Sequence, residues 1–182
     1  TVGVPFPSTD IRVVDPDDPE KDLPLGESGE LLLRGPQVFE GYWNRPTDTA
    51  ATLLDGGWLR TGDIASVSAD GFVTIVDRLK EIIITGGFNV SPSEVEDVLV
   101  SHPDIEGAAV VALPKPRGGE DVAAAIVVRD GVEIEPEAIR DYCKSRLASY
   151  KVPRRVVVVD DLPRSLIGKV LRREVRERLL AS

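Results

Sequence analysis

The pattern changes near residues 77–80, and this limits the chain more than any other feature. Before that point short apolar runs alternate with Pro-, Asp- and Gly-rich turns. After it, strand-like runs alternate with helix-like ones. Residues 10–14 and 30–34 read as strands, with DPDDPEKDLPLGESG between them as a turn-forming linker. Residues 45–54 read as a short helix with Pro46 near its start, and residues 58–64 and 72–76 as further strands around a Ser-Ala-Asp-Gly turn. The product is a small barrel or distorted sheet, with a core of Val, Ile and Leu and the aromatics Phe39, Tyr42 and Trp43.

The second part reads differently. Residues 82–85 form a buried strand candidate. Ser91-Pro92-Ser93-Glu94 follows the capping-box pattern, with Ser91 as cap, Pro92 at the first helical position and Glu94 facing back, for a helix ending near Ser101. Residues 107–113, 122–129 and 156–159 are strands. Helices are expected over 136–150 and 169–180, the last with Leu171, Val175 and Leu179 on one face. The fold class is therefore α+β: a β-rich, barrel-like subdomain over residues 1–78, then a compact α+β domain over residues 79–182 with helices on a small sheet.

The chain has 182 residues, 42% hydrophobic and 29% charged, as in ordinary globular proteins. A net charge of −9 argues against nucleic acid as a partner. Arg154-Arg155 and residues 169–178 form a local basic cluster, suited either to a solvated helix face or to an anionic ligand such as coenzyme A. The single cysteine, Cys143, lies in an apolar rhythm that marks a buried thiol, and a reducing, cytoplasmic setting fits. No apolar run approaches 18 residues, so nothing spans a membrane, with a peripheral contact left open. The chain starts at Thr1 and contains no Met, as expected of a fragment or processed product. His102 precedes Pro103 at a helix end, where a surface role suits it, and no metal-ligand cluster exists.

Several polar residues sit in turns. Asp63 follows Thr61-Gly62 at the end of a strand, where a carboxylate can accept from both hydroxyls of a ribose or bond its own backbone. Arg78 follows Asp77, and its guanidinium fork suits either a nucleotide or a surface ion pair. Lys80 lies where the chain would swivel if two lobes move, and an exposed charge absorbs such a rotation without losing packing. Gly86-Gly87 lets a thin ligand such as pantetheine pass along the backbone, or simply turns a strand into a helix. Lys169, after Gly168 in a loop opening the last helix, can bring an ammonium to a phosphate and a carboxylate, or face solvent.

In this order the motifs GYWNRPTDTA, GWLRTGDIA, VDRLKEIIITGGFNVSPSEVE, YKVPR and LPRSLIGKVLRRE resemble the adenylate-forming enzyme superfamily along nearly the whole chain. The likeness extends to bacterial long-chain fatty acyl-CoA ligases through GPQVFEGYW, GFNVSPSEVEDVLVSHP and RGGEDVAA. The resemblance implies that Asp63 and Arg78 bind the ribose of ATP or acyl-AMP, that Lys80 is the hinge, that Gly86 and Gly87 lie on the coenzyme A path, and that Lys169 serves adenylation. It implies fatty acid, ATP with Mg²⁺, and coenzyme A as substrates. It also places the phosphate loop, the adenine contacts and the acyl pocket in an N-terminal domain upstream of Thr1, so that this chain alone is inactive. Many relatives carry Thr where this chain has Ser165, a change that keeps the hydroxyl. An aryl or medium-chain CoA ligase, a luciferase-like oxidative enzyme, a carrier-loading ligase and a non-catalytic module on the same scaffold are the alternatives.

Overall fold

A computed structural model describes residues 1–116 and 118–181; Arg117, at the start of the RGGED run, lies outside them. The chain divides into two units, Thr1–Lys80 and Glu81–Ser182.

The first unit is one curled antiparallel sheet with strand order β2-β1-β3-β5-β4, and β6 also on β5. Its strands are β1 (Asp10–Asp15), β2 (Asp18–Asp22), β3 (Gly29–Arg34), β4 (Leu53–Leu54), β5 (Trp58–Val67) and β6 (Val73–Arg78). One edge of β5 runs along β3, while β4 and β6 share the other, pairing with its beginning and its end. Val13, Leu31, Ala65 and Val73 form the buried cluster, with Ile11, Leu23, Leu33 and Val67 packed against it.

Several expectations fail in this unit. The linker read between the first two strands contains β2, which pairs back on β1 through a tight turn near Asp15 and Asp18. Its composition hid it: Pro and charged residues belong on an edge strand, where one side bonds water. The aromatics assigned to the core are exposed, Trp43 at 91%. They lie between β3 and α1 (Pro46–Thr52), in a stretch with no strand pairing, where Phe39 and Tyr42 pack on each other at 4.9 Å. α1 has Pro46 at its start as expected.

The second unit is a layered α+β body. β9 (Ile105–Pro114) and β10 (Glu120–Val128) pair antiparallel, and β11 (Arg155–Val158) joins β10 in parallel. A parallel neighbour requires a crossover, supplied by α3 (Pro136–Lys144). Alternation along the strands sorts the core into two layers. Val110, Val122, Ala124 and Ile126 pack with Val95 and Leu99 of α2 (Pro92–Val100) and with Ile139 and Cys143 of α3. Ala109, Val111, Ala123 and Ala125 pack with Val175 and Leu179 of α4 (Arg172–Ala181). The sheet is thus covered on both faces, and its alanines let the helices approach closely.

Both later helices are shorter than their apolar rhythm predicts. α3 stops at Lys144, capped at Ser145. Leu147 and Tyr150 still pack on the core from the turn that returns the chain to β11, so burial continued where helix did not. α4 begins at Arg172 because the three preceding residues pair elsewhere. α2 matches its capping pattern, with Ser91 Oγ accepting from Glu94 N at 3.4 Å, although the Glu94 carboxylate turns to Lys151 Nζ at 2.6 Å. Among the described residues no helix is long and apolar enough to cross a membrane.

Candidate active site

In the first unit, Asp63 is not at a strand end but in the middle of β5. Glu30 pairs with Ile64 and Leu32 with Arg60, so residues 61–63 of β5 face a single residue of β3. This is a bulge, which re-aims a side chain without ending the strand. Gly62 supplies the left-handed backbone it needs, with φ at +69°. Thr61 seals it: its Oγ1 donates to Leu31 O at 2.8 Å and accepts from Asp63 N at 3.1 Å. Thr-Gly-Asp is therefore a structural unit that holds one carboxylate at a fixed angle.

Arg78 is the register partner of Asp63 across β5 and β6. Its Nε donates to Asp63 Oδ1 at 2.8 Å, with the two side chains 59% and 23% exposed. The two residues read separately from the sequence thus form one charged pair. Lys80 is exposed in a single 3₁₀ turn, Leu79–Glu81, two residues beyond that pair.

In the second unit, Gly86-Gly87 is not a strand-to-helix turn. It is the two-residue loop of a hairpin joining β7 (Ile83–Thr85) to β8 (Phe88–Val90). Both glycines have positive φ, +59° and +83°, as the favoured type I′ hairpin turn demands. A Cβ at either position would meet nothing within 4 Å, so the backbone there is open on its outer side. The expected buried strand alternates instead: Ile83 and Thr85 are buried and Ile84 is exposed. Phe88 stacks on Tyr150 at 4.4 Å with the rings 17° apart, a pairing invisible in sequence because 62 positions separate them.

Lys169 is carried by a second hairpin rather than by the opening of a helix. Ser165 N donates to Lys169 O and Gly168 N to Ser165 O, both at 2.8 Å. Gly168 has φ at +80°, which makes this a three-residue hairpin loop with a glycine bulge. Ser165 Oγ accepts from Lys169 N at 3.2 Å, and Arg164 Nη1 donates to Gly168 O at 3.0 Å. The ladder continues through an Arg164–Val170 bridge and a bond from Leu171 N to Pro163 O. Leu166 and Ile167 form a fully exposed tip, and Lys169 is exposed at its base. An open groove of about 710 Å³ runs from Lys169 along α4, lined by Arg172, Arg173 and Arg178 together with Glu81, Glu174 and Glu177.

Sequence reasoning missed Arg172. Its Nε and Nη2 grip the two oxygens of Glu96 at 2.9 and 2.6 Å, Nη2 also reaches Ser93 Oγ at 2.9 Å, and Nη1 donates to Glu81. Its cues were its position three residues after Lys169 and its place in the basic run 169–178. Cys143 is buried, and that burial pushes its thiol up to about 11 against a small opposing effect of Arg146, which leaves it un-ionised at neutral pH. Among the described residues no group of three or more His, Cys, Asp or Glu can hold a metal.

Comparison with known proteins fits these motifs. A family model for the AMP-binding enzyme C-terminal domain matches residues 94–169, and one for AMP-binding enzymes matches residues 1–43. A long-chain-fatty-acid–CoA ligase from Escherichia coli O6:H1 is 45% identical over 177 residues, covering 97% of this chain and 31% of that protein. A feruloyl-CoA synthase from an Amycolatopsis species is 44% identical over 178 residues, covering 98% of this chain and 36% of that protein. The structure of ATP-bound MatB from Rhodopseudomonas palustris matches with a TM-score of 0.89 and 38% identity, over 97% of this chain and 35% of that one. The chain therefore spans about a third of the length of the curated relatives it matches. From the fold, the ordered motifs and this agreement along 97% of its length, the chain belongs to the adenylate-forming, AMP-binding enzyme family.

Proposed function

We propose that the chain is the C-terminal portion of an AMP-forming acid–thiol ligase that activates a long-chain fatty acid with ATP and passes the acyl group to coenzyme A. The observation that carries this reading is Lys169, an exposed ammonium at the base of a hairpin braced by Ser165, Arg164 and Gly168. The identity to the E. coli ligase supports the fatty acid as substrate.

In the first half-reaction a carboxylate oxygen attacks the α-phosphorus of ATP; acyl-AMP forms and pyrophosphate leaves. Lys169 stabilises the negative charge shared between carboxylate and phosphate as that bond forms. Asp63 accepts from the ribose hydroxyls, and Arg78, held against Asp63, keeps the carboxylate aimed. In the second half-reaction the coenzyme A thiolate attacks the acyl carbonyl; the thioester forms and AMP leaves. The turn at Gly86 and Gly87 offers pantetheine a backbone without side chains. Rotation at Lys80 exchanges the Lys169 hairpin for the glycine hairpin, so that one pocket serves both steps. Mg²⁺ has no ligand set among the described residues and accompanies the nucleotide phosphates. The phosphate loop and acyl pocket lie in the rest of the ligase, and the isolated chain is inactive.

Likeness to the feruloyl-CoA synthase supports a second reading in which the acid is aromatic. Lys169→Ala in the complete ligase tests the mechanism under either acid. ATP–pyrophosphate exchange should fall on the order of 10²–10³-fold, while thioester formation from pre-made acyl-AMP persists. Exchange at the unmodified rate would refute the role of Lys169. Assays with palmitate and ferulate side by side decide between the acids.

A further inference from the structure

We propose that Arg172 is a positioning residue for the adenylating lysine: it ties the base of the Lys169 hairpin to Glu81, the residue after the hinge, and to Glu96 on α2. The proposal rests on the reading of Lys169 given above.

Three observations carry it. First, the guanidinium makes a two-pronged grip on Glu96, the geometry that fixes direction as well as distance, and adds Ser93 and Glu81. Arg172 and Glu96 are only 19% and 18% exposed, so the pair is shielded from solvent and salt in a way that surface pairs are not. Glu96 is itself a hub, since its Oε1 also accepts Val110 N on β9 at 2.8 Å.

Second, Arg172 stands at the first position of α4, where the helix dipole favours acids and disfavours a cation. A residue chosen only to stabilise that helix would be Asp or Glu. The cation is explained by its partners, two carboxylates from separate segments that would otherwise repel each other.

Third, little slack separates Arg172 from Lys169. Val170 is bridged to Arg164 and Leu171 donates to Pro163 O, so the intervening residues belong to the hairpin ladder. A displacement of Glu81 is therefore passed through the guanidinium to the base of the ribbon that carries the ammonium. Exposed at its tip and at Lys169, that ribbon would otherwise sample many directions.

The test uses Arg172→Ala and Arg172→Lys in the complete ligase, with Lys169→Ala alongside. Misplacing a reacting group by an ångström costs about 10²-fold, so adenylation in Arg172→Ala should fall by about that factor while thioester formation from pre-made acyl-AMP stays near the parent rate. Arg172→Lys, which keeps the charge and loses the fork, should show the same split at smaller amplitude. Amide hydrogen exchange at Ser165 and Lys169 should quicken in both variants. Equal loss of both half-reactions would overturn the proposal, because it would mean that Arg172 merely holds the unit together. Unchanged adenylation and unchanged exchange would overturn it as well. If Arg172→Ala does not fold, the double variant Arg172→Gln/Glu96→Gln carries the same comparison. Full adenylation by Lys169→Ala would refute the lysine's role instead, and exchange at the hairpin would still report whether Arg172 orders it.

Discussion

The two units hold their polar residues in opposite ways. In the first, Asp63 and Arg78 face each other across neighbouring strands, and a bulge inside a ten-residue strand sets the carboxylate's angle. In the second, Lys169 and the Gly86-Gly87 turn project on short hairpins from a body whose sheet is buried on both faces. The core reverses the contrast: the second unit packs Val, Leu and Ile in two layers, while the first buries a small cluster and leaves Trp43 and Phe6 exposed. Under the proposed mechanism, Asp63 and Arg78 would hold one ligand through both steps from a sheet, and Lys169 would serve a single step from a projection.

Loosening the second unit's core puts the heaviest load on this contrast. Leu99→Ala removes a fully buried side chain of α2 and should destabilise that unit by about 2–5 kcal/mol, read by denaturant unfolding. A cost well below that would mean that α2 is packed less tightly than the burial of Leu99 indicates. Next comes the bulge. Gly62→Ala meets no atom within 4 Å, so its cost is backbone strain alone, roughly 1–2 kcal/mol, with weaker nucleotide binding as Asp63 is re-aimed. Unchanged affinity would separate the bulge from the site. The smallest effect is expected at the hairpin tip, where Leu166→Ser should leave stability within about 0.5 kcal/mol, since the side chain touches solvent only. A larger loss would show that the tip packs on something.

Much of the fold was legible because period and punctuation agreed. β1 alternates polar and apolar residues, β9 and β10 read as apolar runs, and Ser91-Pro92 opens α2 where its chemistry says it should. Misreadings arose where composition stood in for geometry. β2 looks like a linker because edge strands take the residues of linkers. Trp43 and its neighbours look like core because burial depends on what a strand faces, not on the size of a side chain. Neither hairpin is legible in the sequence: Lys169 reads as the opening of a helix and Gly86-Gly87 as either a ligand passage or a strand-to-helix turn, since glycine marks left-handed backbone but leaves the next element open. The candidate site residues stand in recognisable motifs, but neither the Asp63–Arg78 pairing nor the Arg172 grip can be read from them. Fifteen positions separate the first pair, and the second spans 76.

The glycine bulge beneath Lys169 has a consequence for how this segment can change over time. Because Ser165 and Lys169 close the loop on each other, the number of residues between them decides on which side of the ribbon the ammonium emerges. The side chains at 166 and 167 take no part in closing the loop, whereas an added or lost residue there changes the turn that sets the register of Lys169. The tip can thus be rewritten but not relengthened.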